Sequence, residues 1–233
     1  PFLNNPDGKY AYLYNNATDW QDVIYRNGFV TDNLFRVEGG DAIAKYDLSI
    51  GYAGEDGLIQ NTTQQRYHTQ LNTNVLISKK VEMFATVGLA YMNGDYQDQG
   101  MVSGTNPILA AYKQSPLLSP NKMDANGEKL ASYSTYYYGN CTNMDFATSN
   151  PLALINTLDA HSRQYDVNVK VGLTYKPLPE LTLTGVLGLY YNYNNERMFV
   201  PGVTDKSILP FFDQYGEASN SVKNGIGETF NMF

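Results

Sequence analysis

Cysteine is nearly missing from this chain. Cys141 stands alone, so no internal disulfide framework can form. This leaves the compartment open, because many exported bacterial proteins carry no disulfide. Charge is scarce too: Asp, Glu, Lys and Arg make up 17% of the residues, against roughly 25% in soluble domains. The balance is acidic, with a formal net charge of −7 and no basic stripe, which argues against a nucleic-acid binder. No apolar run reaches the roughly 18 residues that a membrane-spanning helix needs. That lack does not count against a β-barrel, whose lipid face is spread over alternate residues, and neither does the mean hydropathy of −0.39. Histidine is confined to His68 and His161, with no third ligand at metal spacing. The sequence starts at Pro1 with no leader and no initiator methionine, and is expected to be a processed or internal fragment.

What is abundant is tyrosine, with 20 residues, and 20 glycines beside it. Tyr, Thr and Val favour strands, and Gly and Asn favour turns. The arrangement is strictly alternating. In 165–175, Tyr165, Val167, Val169, Val171, Leu173 and Tyr175 fall on one face, and Asp166, Asn168, Lys170, Gly172 and Thr174 on the other. After Pro177-Leu178-Pro179-Glu180 the alternation resumes with Leu181, Leu183, Leu187, Leu189, Tyr191 and Tyr193. Similar strands are predicted from Asn33 (Phe35 and Val37 on one face), over 46–52 (Tyr46, Leu48, Ile50, Tyr52) and over 67–77 (Tyr67, Leu71, Val75 against His68, Gln70, Asn72, Asn74). Another covers 83–91, where the second face is less polar, and a further one begins at 221.

The connections alternate as well. They are tight at 39–43, 78–81 and 176–180, and long at 53–65, 93–160 and 195–220. Thr18 or Asp19 is placed to cap a short helix over Asp22–Tyr25. The long insertion carries two helical signals, NPILAAYK at 106–113 and NPLALINTL from 150, and a DANGE turn at 124–128.

Strands in soluble proteins usually run about 5–6 residues. Eleven residues extend roughly 36 Å, and when tilted about 45° they cover roughly 26 Å, near the ~25 Å apolar band of an outer-membrane barrel. Tyrosines at the strand ends suit the membrane interfaces, where the ring is buried and the hydroxyl stays wet. Short turns on one side and long loops on the other match the two sides of such a barrel. The fold class expected is therefore all-β: an antiparallel transmembrane β-barrel segment of six or seven long strands, with the long loop at about 93–160 extracellular. Alternation by itself leaves open a soluble β-sandwich that binds carbohydrate, a passive porin-like barrel, and a glycosidase on a β scaffold.

Several stretches resemble the SusC/RagA family of TonB-dependent outer-membrane transporters. TDWQDVIYRNGFVTDNLFRVEGGDAIAKYDLSIGY (18–52) is similar to that family's early barrel region, and RYHTQLNTNV (66–75) to the next strand. SPLLSP (115–120), SNPLA (149–153) and LGLYYNYNNERMFVPGV (187–203) also resemble family segments. The resemblance implies a partial barrel over 1–233, with the plug and the remaining strands outside this sequence. It implies energy-dependent import of glycan fragments or peptides in the bacterial outer membrane. It further implies a SusD-like lipoprotein over the mouth, and TonB-ExbB-ExbD acting through the plug.

A transporter needs no covalent chemistry, so no catalytic residue, metal or cofactor is expected. Seven residues are expected to face the lumen: His68, Gln70, Asn72, Asn74, Asp166, Asn168 and Lys170. The loop tyrosines Tyr133, Tyr136, Tyr137 and Tyr138 are candidates for stacking on substrate or a lid partner; the alternative is that they knit the loop together. Asp47, Asp95, Asp98, Asp124, Asp145, Asp159 and Asp166 read as solvated loop carboxylates rather than a glycosidase pair. Cys141 has no histidine near it in sequence to activate it.

Overall fold

The computed structural model describes residues 16–101, 104–124, 126–134, 149–200 and 217–232. Seven long strands lie in one antiparallel sheet, in sequence order: β1 (Phe29–Gly40), β2 (Ala44–Asp56), β3 (Thr63–Ser78), β4 (Val81–Asp95), β7 (Asp159–Leu178), β8 (Leu181–Val200) and β9 (Glu217–Met232). A small hairpin, β5 (Asn121–Met123) and β6 (Lys129–Tyr133), lies within the long insertion. Three short helices complete the fold: α1 (Trp20–Ile24), α2 (Pro107–Lys113) and α3 (Pro151–Thr157). The sheet is open, with β1 and β9 at its edges. Among the described residues no second sheet faces it, so the sandwich reading finds no second layer.

The strands outrun the expected bounds. β2 continues to Asp56 and β3 starts at Thr63, which cuts the expected 53–65 loop to residues 57–62. β7 and β8 have 20 residues each, so β8 takes up the first part of the expected 195–220 loop. The alternation is lost there because both faces mix polar and apolar residues, Asn195, Glu196 and Arg197 being followed by Met198 and Phe199, yet backbone pairing needs no apolar face and carries on regardless.

The three tight turns are at one end of the sheet. At 40–44 the carbonyl of Ala44 accepts from the Asp41 amide, at 2.8 Å. Gly40 has φ 139°, a conformation that side chains resist, and a Cβ there would strike the Ala44 carbonyl. The Asp41 carboxylate accepts from the amides of Ile43 (2.7 Å) and Ala44 (2.8 Å). Lys79 and Lys80 form the second turn, and Pro179 and Glu180 the third.

Little of the sheet is buried. Leu71, Leu89, Val171, Leu187 and Leu189 keep 36%, 49%, 39%, 50% and 45% of their surface exposed. A soluble monomer rarely leaves so continuous an apolar face open to water. The buried hydrophobic cores lie elsewhere, in a cap built by the helices at the long-loop end. Trp20, Ile24, Ile59, Ala111 and Ile155 form one cluster, and Ala110, Leu154 and Leu158 a second. Each helix is started by a side chain: Asp19 accepts from the Gln21 and Asp22 amides, Asn106 from Ile108 and Leu109, and Asn150 from Leu152 and Ala153. Asp19, not Thr18, is thus the cap of the first helix, which begins two residues earlier than expected. In α2 and α3 a proline follows the cap, where its missing N–H costs nothing. The indole of Trp20 donates to the Ser115 carbonyl (2.9 Å), and Thr18 donates to that of Leu118 (2.6 Å), tying the segment before β1 to the insertion.

Two outcomes follow. Replacing Trp20 by Ala should loosen the cap by about 3–5 kcal/mol while leaving the strand ladder intact. Limited proteolysis should then cut within 104–120 at protease levels that spare the parent protein. The two amides hold the Asp41 carboxyl below the usual carboxylate range. Its contribution to the turn is therefore present above its unfolded value and lost as pH falls through the lower folded one. Hydrogen exchange should show the Ile43 and Ala44 amides losing protection in that acid range, and in Asp41→Asn at neutral pH.

Candidate functional site

Register decides which side chains share a face. One row across the sheet joins Tyr52, Tyr67, Tyr91, Tyr165 and Tyr193 on five consecutive strands. Neighbouring rings are in contact range, tilted in three pairs and stacked in the Tyr67–Tyr91 pair, with centroids 5.0, 6.3, 4.9 and 6.1 Å apart. Below this belt the same face carries Leu71, Val87, Val169 and Leu189 in a single row, then Val171 and Leu187. Tyr46 and Tyr175 mark the other end, near the tight turns. An apolar band bounded by aromatic rings is what a lipid-facing barrel wall requires.

The opposite face is polar. His68, Gln70, Asn72 and Asn74 alternate along β3, and Asp166, Asn168 and Lys170 along β7, all on the face away from the tyrosine belt. Their side chains form short networks. Asp166 accepts from Gln164 (2.8 Å), from the Tyr190 hydroxyl (3.2 Å) and from Asn192. Gln70 donates to Asn72 (3.2 Å), and Asn74 donates to Glu82 (2.6 Å). The Lys170 ammonium stands 5.9 Å from the Phe84 ring centroid.

The partnership of Arg36 with Asp47 on this face was not read from the sequence. Arg36 grips Asp47 with both Nε (3.0 Å) and a terminal nitrogen (2.8 Å), and reaches Glu38 at 2.6 Å. The signal was present as Arg36 and Asp47 on facing strands, but only the register brings them near each other, Arg36 pairing with Ser49 and Asp47 with Glu38. Beside them is a hollow of about 570 Å³, lined by Arg36, Glu38, Asp47, Asn72, Asn74 and Phe84 among others.

Close packing on this face uses glycine. The His68 ring lies over Gly51, and the Phe84 ring over Gly172; a Cβ at either glycine would collide with the ring. Such rings laid over a glycine of the neighbouring strand fill the gap in the pleat. His68 Nδ1 is buried and has no hydrogen-bond partner.

The remaining candidates are placed as follows. Tyr133 ends β6 and is half-buried; Tyr136, Tyr137 and Tyr138 lie outside the described residues, as do Cys141 and Asp145. His161 is on the tyrosine side of β7, where it bonds Asp95 at 2.9 Å. No group of three His, Cys, Asp or Glu side chains suited to a metal occurs among the described residues. Asp47, Asp95, Asp159 and Asp166 sit on strands rather than in loops, a correction to the loop reading. Asp47 and Asp166 share the polar face, but β3 and β4 stand between their strands. Three inter-strand steps span roughly 14 Å, beyond the ~5–9.5 Å of a glycosidase pair. The Asp124 carboxylate is taken up by the Asn126 (2.9 Å) and Glu128 (2.8 Å) amides, as the DANGE turn requires.

Comparison with known proteins points the same way. No protein-family model matches the chain. It is 25% identical over 194 residues to the TonB-dependent receptor SusC of Bacteroides thetaiotaomicron, covering 78% of this chain and 19% of that protein. It is 30% identical over 107 residues to the TonB-dependent receptor P3 of Formosa agariphila, covering 42% of this chain and 10% of that protein. In fold it is similar to the solved RagAB peptide transporter, with a TM-score of 0.70 and 20% identity over 94% of this chain and 23% of the other. The chain thus spans about a fifth of the length of the first of these relatives.

Gly172→Val should displace the Phe84 ring and with it the cation–π contact to Lys170. In the full-length protein the expected sign is a drop in thermal stability of about 1–3 kcal/mol, largely restored by the paired change Phe84→Ala. A destabilisation unchanged by that second substitution would show that the ring is not what the added side chain meets.

Proposed function

We propose, for a chain that is a barrel segment of a SusC/RagA-type TonB-dependent outer-membrane transporter, a part in the wall of a nutrient importer. The observation that carries this is the two-sided sheet. One face has an apolar band ending in a five-residue tyrosine row, and the other carries hydrogen-bonded polar side chains around a hollow. The first face meets outer-membrane lipid; the second lines a wet lumen, where His68, Gln70, Asn72, Asn74, Asp166, Asn168 and Lys170 lie along the path. Acceptors and donors already paired to each other offer a passing solute many weak contacts and no deep trap.

The cargo in this reading is a glycan fragment or a peptide. The helical cap and Tyr133 are on the side from which it arrives, and Tyr136, Tyr137 and Tyr138, which follow Tyr133 closely in sequence, are the further candidates for contact with cargo or lid. A SusD-like lipoprotein is the expected lid, and TonB-ExbB-ExbD the energy source, acting through a plug contributed by other parts of the protein. The wall itself does no covalent chemistry and holds no cofactor. RagAB is described as a peptide transporter, which makes peptides the first cargo to try.

The test uses the full-length protein in cells. Extraction should require detergent, and deleting the gene should abolish growth on one defined oligosaccharide or peptide mixture. Dissipating the proton gradient should stop uptake of that cargo. Extraction in plain buffer would overturn the barrel assignment, and uptake that persists without the gradient would indicate a passive pore instead.

A further inference from the structure

Above the tyrosine row the outward face changes character. The next outward positions, in register, are Gly54, Gln65, Asn93, Arg163 and Asn195; beyond them come Asp56, Thr63, Asp95, His161 and Arg197. On β2 to β4 these positions carry no basic residue, while β7 and β8 supply two arginines and a histidine. Arg163 pairs with Asn195 and His161 with Arg197, so the arginines are diagonal neighbours on adjacent strands. Diagonal positions have Cα atoms about 7–8 Å apart, within joint reach of one anion for long side chains.

Arg163 is held in place. The Thr63 hydroxyl donates to Asp95 Oδ2 (3.2 Å), and Asp95 Oδ1 meets His161 Nδ1 (2.9 Å). His161 Nε2 then accepts from Arg163 Nε (2.9 Å). Only a neutral imidazole with its proton on Nδ1 satisfies both of its contacts. The relay engages the Asp95 carboxylate and Arg163 Nε; Arg163 and its diagonal neighbour Arg197 are both exposed. Asp159 is two residues further out, opposite Phe199.

The height of this pair is the decisive point. Arg163 lies two residues beyond Tyr165, about 7 Å along the strand, and Arg197 four beyond Tyr193, about 13 Å. Allowing for strand tilt, both heights fall in or just above a headgroup layer of roughly 5–8 Å. We propose that Arg163 and Arg197 bind the phosphate of an outer-leaflet lipid headgroup, with Asp95 and His161 as the residues that position Arg163. The apolar band below would hold that lipid's chains, so the site continues a surface already assigned to lipid. A guanidinium pair suits a phosphate because each fork presents parallel donors to its oxygens. The proposal rests on the membrane-barrel reading above.

The test takes the full-length protein in detergent and counts retained lipids by native mass spectrometry. The probes are diphosphoryl lipid A and the same lipid stripped of its phosphates. The phosphorylated form should be retained preferentially, and Arg163→Gln with Arg197→Gln should reduce that retention about tenfold. His161→Ala should reduce it less, since it frees Arg163 without removing the charge. Equal retention of the two lipids by the unmodified protein would overturn the proposal, whatever the double variant does. So would thermal stabilisation by inorganic phosphate equal to that by lipid A. Extraction without detergent would instead remove the barrel reading on which the proposal stands.

Discussion

The antiparallel ladder, running without a slip across the middle of seven strands, is the constraint on which everything else depends. Side chains alternate with a period of two, so one residue of slip on any strand would turn its whole apolar set to the other face. Here Val37, Leu48, Leu71, Val87, Val169 and Leu189 stand in one row, and the five tyrosines in another. Irregular register is confined to the tight-turn end, between Leu76 and Ser78 and between Tyr175 and Leu178. There it turns the chain without disturbing the rows above.

The same ladder explains why so little of this chain is core. A sheet with lipid on one face and water on the other, as proposed for this one, has no reason to bury a face against protein. Its stability comes from backbone pairing, from cross-strand contacts such as Tyr91 with Tyr165, and from rings laid over Gly51 and Gly172. Conventional hydrophobic packing appears where the chain leaves the sheet, in the cap of Trp20, Ile24, Ile155 and Leu154. That cap is held by side-chain bonds across long sequence distances, so the described part of the insertion is tied to the segments around it. Asn61 bonds the Ile155 carbonyl (3.1 Å), and Asn150 that of Pro120 (2.8 Å).

Charge follows the same division. On the polar face the charged groups are held by hydrogen bonds: Arg36 lies between Asp47 and Glu38, and Asp166 among neutral donors. Hydrogen-bonded in this way, these groups keep the face polar while each carboxylate already has donors of its own. On the outward face from β1 to β8, the rows of Leu71 and Leu187 carry no charged residue, and charge returns beyond the tyrosines. There Asp95, His161 and Arg163 form a fixed relay.

Sequence by itself determined the alternation, hence the strands and the two faces, because a period of two is a local property of neighbouring residues. It also determined the tight turns through their Gly-Gly-Asp, Lys-Lys and Pro-Glu signals, and the helices of the insertion through the repeated Asn-Pro cap. The face shared by His68 through Asn74 and by Asp166 through Lys170 was legible for the same reason. Tertiary structure decided what depends on neighbours far apart in the chain. Register set the tyrosine row, the grip of Arg36 on Asp47 and the contact of His161 with Asp95, because those pairings join residues on different strands. It also decided that β7 and β8 run on past their apolar stretch, since backbone hydrogen bonds hold a strand where side-chain pattern no longer marks one.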